Sequence, residues 1–364
     1  MTETESCCTT EPAPVAGSAG PAPAEPTALS GDISGFRTKL ILLGTAAGPV
    51  FSPGRSGIST AVVVGEKHYL VDAGLGAARR LGQAGLAPEA LGAVFLTHLH
   101  SDHLFDLFNI LWMTPGKFGR PVPIYGPGPA GALPEPFGDA SSVPLVQPDR
   151  PTPGTTDLIH GLLSSYAYDM NIRNIETGAQ IDHANLFEAH DVHAPAGTGA
   201  SATHTAPDMQ PFAVFEDDRV RVSAILVPHG PVFPSFAFRF DTDDGAVTIS
   251  GDTAYSDNVG RLASGSDVLV HEAIDVDWFA YTAATRKGFG PGFLHHMAAA
   301  HTTPRDVGKI ATTASVKHVV LSHIGPGDPR AVPDERWRDG VGATYSGPIT
   351  PGHDLTAFGI GVTS

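Results

Sequence analysis

Residues 94–103 read Val94-Phe95-Leu96-Thr97-His98-Leu99-His100-Ser101-Asp102-His103, a short apolar run ending in three histidines and an aspartate within six positions. In a strand side chains two apart share a face, so His98 and His100 are expected to point at one centre. Leu104 to Met113 reads as a buried helix. The turn into it leaves Asp102 and His103 where they reach a second centre beside the first. Imidazole and carboxylate are the donors zinc takes when no thiolate is offered. The alternative is a polar strand-to-helix loop with chance histidines, which gives no reason for four donors packed this closely.

Upstream, Thr38 to Thr45 predicts a strand running into a Gly-rich loop, Gly44 to Gly57. Neither G-x-G-x-x-G nor G-x-x-x-x-G-K-[ST] is present, so the loop is expected at the rim of a site rather than around a phosphate. Ser59–Val64 and His68–Val71 form a hairpin across residues 65–67. Asp72 follows it, either as a turn residue or as a carboxylate that orients a ligand histidine. Ala77 to Ala84 has helical spacing.

Downstream, residues 121–215 are acidic and dense in Pro and Gly near both ends, with Leu158–Ile172 expected as a helix. The segment is expected to be an insertion bordering the site. Its histidines, His160, His183, His190, His193 and His204, lack a tight pattern, and surface or loop roles are their default. Val220–Pro228 predicts a strand delivering His229. Phe236–Phe240 pairs plausibly with Ala246–Ser250, which ends at Asp252, and two further apolar runs end at His271-Glu272 and at His323. Repeated strand endings of this kind suggest a rim of ligands on one edge of a sheet sandwich. Thr303 and Pro304 open a helix, Thr303 as its cap and Pro304 in its first turn. His301 therefore stands just before a helix N-terminus, either as a boundary residue or as a proton donor over the site.

Composition narrows the classes. Lys+Arg 22 against Asp+Glu 38 gives a net charge of −16 in 364 residues, which repels polyanions at long range and makes nucleic acid an unlikely partner on this criterion. Residues 1–35 have almost no large apolar side chain and are expected to be a disordered tail preceding one domain, residues 36–364. Both cysteines, Cys7 and Cys8, lie in that tail, too few for a disulfide framework. No secretory signal and no membrane-spanning run is visible, so a cytoplasmic location is expected.

The motifs Leu43-Gly44-Thr45, Val71-Asp72-Ala73-Gly74, Thr97 to His103, His229, Ser250-Gly251-Asp252-Thr253 and Leu321-Ser322-His323 resemble the metallo-β-lactamase superfamily. His271-Glu272-Ala273 and His301-Thr302-Thr303 resemble its ribonuclease Z-like branch, which includes arylsulfatase-like hydrolases. The resemblance spans residues 38–325. It implies an α+β fold, a four-layer αββα sandwich with two metals at one edge. It implies His98, His100 and His229 on the first metal, Asp102, His103 and His323 on the second, and Asp252 between them. Two zinc ions are the expected cofactor, with manganese or iron as alternatives.

The expected enzyme is a metal-dependent hydrolase in which a hydroxide held between two cations attacks an ester-like bond: phosphodiester, aryl sulfate, carboxylic ester or lactone. Asp102, His301 and Glu272 are the candidate catalytic residues, His301 assisting the leaving group and Glu272 holding it. A small-molecule substrate is the first expectation, with a homodimer as an open alternative. A ribonuclease Z-type tRNA 3′ endonuclease, a hydrolytic dehalogenase of aromatic substrates and a non-catalytic metal-binding relative are the other readings. Against the tRNA role stand the acidic 121–215 segment, where that branch would carry a basic arm, and Ile274, where it usually has threonine.

Overall fold

The strand Thr38–Gly44 (β1) shows why the chain layers as it does: Leu40 and Leu42 join one apolar cluster, while Ile41 and Leu43 join another. Both faces of a strand that alternates this way must be covered. In Ser59–Val64 (β2), Val62 and Val64 follow the first pair, Ala61 and Val63 the second. The first cluster lies between two sheets and continues under the helices of the second, and the other lies between the first sheet and its helices. The structure, a computed structural model, describes residues 24–112, 117, 118, 120–138, 143–285 and 290–363.

The first sheet adds Lys67–Val71 (β3), Leu91–Phe95 (β4), Val122–Pro127 (β5) and Phe187–Val192 (β6). The second contains Phe212–Glu216 (β7), Arg221–Leu226 (β8), Phe236–Thr242 (β9), Gly245–Ile249 (β10), Val268–Ile274 (β11), Val319–Gly325 (β12) and Ile349–Pro351 (β13). Ala357–Ile360 (β14) returns to the first sheet. The strand orders are β14-β1-β2-β3-β4-β5-β6 and β13-β12-β11-β10-β9-β8-β7. Ala77–Gln83 (α1), Leu107–Trp112 (α2) and Thr155–Thr177 (α3) bury apolar residues on the first sheet. Asp257–Leu262 (α4), Pro304–Thr313 (α7) and Asp334–Gly342 (α8) do so on the second, with Val276–Thr285 (α5) and Pro291–Ala300 (α6) between them in sequence. The fold is the expected αββα sandwich.

Strand direction positions the site. β3, β4 and β5 run parallel, as do β10, β11 and β12, so their C-terminal ends open on common edges. The loop after β4 meets the second sheet at Phe236, whose N–H donates to the Thr97 carbonyl at 2.9 Å. That contact brings the two edges to one place.

Three local expectations need correction. His98 and His100 do not share a strand face: β4 ends at Phe95, and both lie in the loop that follows. The helix expected from Leu104 starts at Leu107, because residues 101–103 first make a single tight 3-10 turn; Met113 lies outside the described residues. Residues 121–215 contribute β5, β6, β7 and α3, so they are woven into both sheets rather than laid across them. Of the expected tail, residues 1–23, with Cys7 and Cys8, lie outside the described residues. Residues 24–35 run along the body, where the Ser30 N–H donates to the Leu355 carbonyl and the Pro26 carbonyl accepts from Arg80. Among the described residues no helix is long and apolar enough to cross a membrane.

The Gly44–Gly57 loop is fastened by a buried ion pair. Arg80 Nη2 lies 3.0 Å from Asp354 Oδ2, with 1% and 0% of the side chains exposed, and Asp354 also accepts from Ser56 N and Thr45 Oγ1. Burial pushes the Asp354 carboxyl up against these partners. Removing only the cation strands that carboxylate, so Arg80→Leu is expected to cost about 3–5 kcal/mol in denaturant unfolding. A loss below about 1 kcal/mol would show that water replaces the guanidinium there.

Candidate metal centre

Asp72 stands at the end of β3 in the left-handed region (φ 59°), a conformation aspartate tolerates better than most residues. Its carboxylate reaches across to the loop after β4. Oδ1 accepts from Thr97 N at 2.8 Å, and Oδ2 accepts from Thr97 Oγ1 and from the His103 ring, both at 2.8 Å. Gly48, in the loop after β1, packs so closely on Asp102 that a Cβ there would lie 2.3 Å from the Asp102 Cβ. The Gly-rich loop is thus a wall of the site.

The histidines converge from four directions. The His98, His100 and His229 rings form a triangle with centroid separations of 4.7, 4.7 and 5.0 Å. Asp102, His103 and His323 form a neighbouring group, with Asp102 Oδ2 at 3.5 Å from His323 Nε2 and 3.7 Å from His103 Nε2. Asp252 Oδ2 lies between them: His323, His103, His229 and His98 present Nε2 to it at 3.2, 3.4, 3.9 and 4.0 Å. All seven sequence-predicted ligands are therefore brought together.

Hydrogen bonds assign the tautomers. Thr97 spends its single O–H on Asp72, so at 3.1 Å the His98 Nδ1–H donates to Thr97 Oγ1. His103 Nδ1–H donates to Asp72, and His229 Nδ1–H donates to the Ala300 carbonyl at 2.9 Å. Each ring consequently turns a bare Nε2 inward, the form that ligates. His98 Nε2, His103 Nε2 and Asp252 Oδ1 are buried with no hydrogen-bond partner among the described residues. Orphaned acceptors gathered round one carboxylate need a cation. Five imidazoles and two carboxylates without a thiolate fit divalent ions that accept nitrogen and oxygen donors.

Electrostatics agree. Burial and the neighbouring His103 push the His98 imidazole well below its ordinary value, and burial takes His229 to about 3, so both are neutral at pH 7. Burial opposes ionisation of Asp252, but His323 and His103 outweigh it and hold its carboxyl well below the carboxylate range, while Asp252 and Asp72 outweigh burial at His103 and raise that imidazole well above its ordinary value, so a proton competes for its inward Nε2. A buried anion that draws a proton onto a facing imidazole is one a divalent cation stabilises in that proton's place.

The sequence profile described as the metallo-beta-lactamase superfamily matches residues 53–310. The chain belongs to the metallo-β-lactamase superfamily. Curated relatives named ribonuclease Z include those of Mycobacterium bovis (strain BCG / Pasteur 1173P2), 29% identical over 325 residues, and Mycobacterium tuberculosis (strain ATCC 25177 / H37Ra), 28% identical over 322. Both alignments cover 87% of this chain and 96% of the relative. Among solved structures, the short form of human tRNase Z superposes with a TM-score of 0.56 at 19% identity, covering 89% of this chain and all of that one. YhfI of Bacillus subtilis gives 0.55 at 16%, covering 88% and 98%. It is a metal-dependent hydrolase of that superfamily, similar along most of its length to the relatives named ribonuclease Z.

In this metallo-β-lactamase sandwich His301 and Glu272 sit beside the cluster. The His301 Nδ1–H lies 3.0 Å from both Glu272 oxygens, and the His301 ring stacks on His323 at 5.8 Å. Burial disfavours a charged His301, but Glu272 outweighs it and raises its pKa to about 9. Glu272 also accepts from Thr253 N at 2.6 Å, next to Asp252. The Ile274 backbone N–H ties to the Thr302 carbonyl at 3.0 Å, and its side chain packs with Ala47 and Met297.

His296 was missed by sequence reasoning. It lies on α6, half-buried, with its ring 5.5 Å from His229 and 5.2 Å from His301. The available signal was Pro291 at a helix start followed by an apolar run and the pair His295-His296, five residues before His301. His183 instead packs on Trp112 and His190 stacks on Tyr125, while His160 lines the cleft that opens beside His100. None of the five histidines of the 121–215 segment joins a ligand group among the described residues.

Because Asp72 steadies His103 without reaching the cluster's centre, Asp72→Asn keeps the shape and the backbone conformation but loses the charge. Chelator competition is expected to show metal affinity lower by about 10–100-fold with the fold intact. Unchanged affinity would mean Thr97 alone orients the ring.

Proposed function

We propose that the chain is a metal-dependent phosphodiesterase of the ribonuclease Z type, with the 3′ extension of a precursor tRNA as its first candidate substrate. The observation that carries this is the buried Glu272–His301 pair beside the Asp252 focus, in a chain whose alignment covers 96% of the length of a relative named ribonuclease Z. His98, His100 and His229 would hold one zinc ion, Asp102, His103 and His323 a second, with Asp252 shared. When bound, such a pair lowers the pKa of a water towards neutral and polarises the ester oxygen. The chain supplies the rest. Asp72 and Ala300 fix the ring orientations, Glu272 holds His301 by its Nδ1–H, and His301 Nε2 keeps a proton at the leaving oxygen.

The acidic balance is outweighed as an argument against RNA. Net charge sets the long-range field and says little about a local groove. One observation favours the small-molecule reading as the second choice. A cleft of about 990 Å³ opens beside His100, walled by Leu99, Leu158, Val232 and Phe233, and its Arg150 is already paired with Asp157 at 2.6 Å. Such walls suit an uncharged body on the ester.

The test is a panel on zinc- or manganese-loaded protein: precursor tRNA, bis(p-nitrophenyl) phosphate, and p-nitrophenyl sulfate and acetate, each with and without chelator. Chelator-sensitive release of the tRNA trailer is the expected result. Ester turnover without trailer release would transfer the conclusion to the second reading.

A further inference from the structure

The helix α6 carries more than the end that leads to His301. Met297 packs on Ala47 and Ile274, and Ala300 is fully buried, so the helix is seated firmly against the sandwich. The Ala300 carbonyl is the group that holds His229 Nδ1. His296 is one turn earlier than Ala300, hence on the same face. One rigid element thus sets three imidazoles: His229 through a backbone bond, His301 at its C-terminal cap, and His296 on its own surface.

The three differ in what is already engaged. His229 and His301 each have Nδ1 tied, to a carbonyl and to Glu272. No hydrogen bond engages the His296 ring among the described residues, and it is the half-exposed member of the group. Ring nitrogens of His229, His296 and His301 lie within 4.8 Å of one another. His229 Nε2 already faces Asp252 and His100, at 3.9 and 3.2 Å. An ion at the first position has His98, His100, His229 and Asp252 for donors, a full tetrahedral set. His296 is surplus to that set, and its place is the open side towards His301. Two N–H groups less than 5 Å apart can donate to one oxygen lying between them, each at about 2.9 Å.

We propose that His296 is a further substrate-contacting residue, which together with His301 cradles an oxygen of the tetrahedral oxyanion formed or released at the centre. The proposal rests on the hydrolase reading of the site but not on tRNA as substrate. The His296 ring donates one hydrogen bond to that oxygen, and no bond is made or broken by it.

The probe is inorganic phosphate, titrated calorimetrically into the metal-loaded full chain. His296→Ala is expected to weaken phosphate binding about 10-fold and to lower kcat on bis(p-nitrophenyl) phosphate by about 10–10²-fold. Metal content and circular dichroism are expected to stay those of the wild type. His296→Gln, which keeps an N–H donor of similar reach, is expected to restore most of the phosphate affinity. Loss of metal in His296→Ala would overturn the proposal by making the residue a ligand. Equal phosphate affinity in wild type and variant, or no phosphate binding by the wild type, would overturn it as well. Failure of precursor-tRNA cleavage with the phosphate difference intact would count against the proposed function alone.

Discussion

Asp252→Ala is expected to release metal and to lower hydrolysis by more than about 10³-fold, the scale of losing an activated nucleophile. The reason is geometric. Asp252 Oδ2 is the single oxygen that four Nε2 atoms face within 4.0 Å, and its second oxygen is buried without a partner among the described residues. Removing it leaves the facing imidazoles with no anion at the centre and one donor fewer for each of the two proposed ion positions. His98→Ala, which empties a fully buried position in the first trio, is expected to act in the same direction. Elemental analysis of the purified variants, with circular dichroism as the folding control, checks both. A fully metallated and active Asp252→Ala would refute the bridging role.

His301→Ala is expected to separate rate from metal. His301 lies beside His323 and Asp252, but its Nδ1–H is committed to Glu272 and it is outside the seven-ligand group. Hydrolysis is expected to fall by about 10²–10⁴-fold, the range of a positioned general acid, while metal content stays unchanged. Glu272→Gln is expected to lower the rate less, because the amide still accepts from Thr253 N yet no longer fixes the imidazole by charge. A substrate whose leaving group needs no proton, such as p-nitrophenolate, is expected to show the smaller loss in His301→Ala. Metal loss in this variant would move His301 into the ligand set, and an equal loss on all leaving groups would remove the proton role.

Much of this was legible in the chain before folding. The apolar runs in Thr38–Gly44 and Ser59–Val64 mark strands, and Thr303-Pro304 marks a helix start that the structure places there, with the Thr303 side chain accepting from Asp306 N. The donor types in His98 to His103, with Asp252 and His323 at strand ends, carried the divalent-ion chemistry, because ligand preference is a property of the side chain alone. Other expectations failed where the local rule was not the operative one. His98 and His100 meet through a loop shaped by Asp72 and Thr97, not through the two-residue period of a strand. His296 went unread because its relevance depends on a helix whose Ala300 carbonyl happens to hold His229, 71 residues away.

The sequence alone therefore determined which residues offer donors that suit a metal and which segments want to be strands, since both follow from side-chain chemistry and short-range periodicity. Only the tertiary structure decided that Asp102 and His323, 221 residues apart, meet at 3.5 Å and that His98, His103, His229 and His323 turn Nε2 towards Asp252. Parallel strand order and the backbone contact between Thr97 and Phe236 bring the two sheet edges together, and no local pattern encodes that meeting.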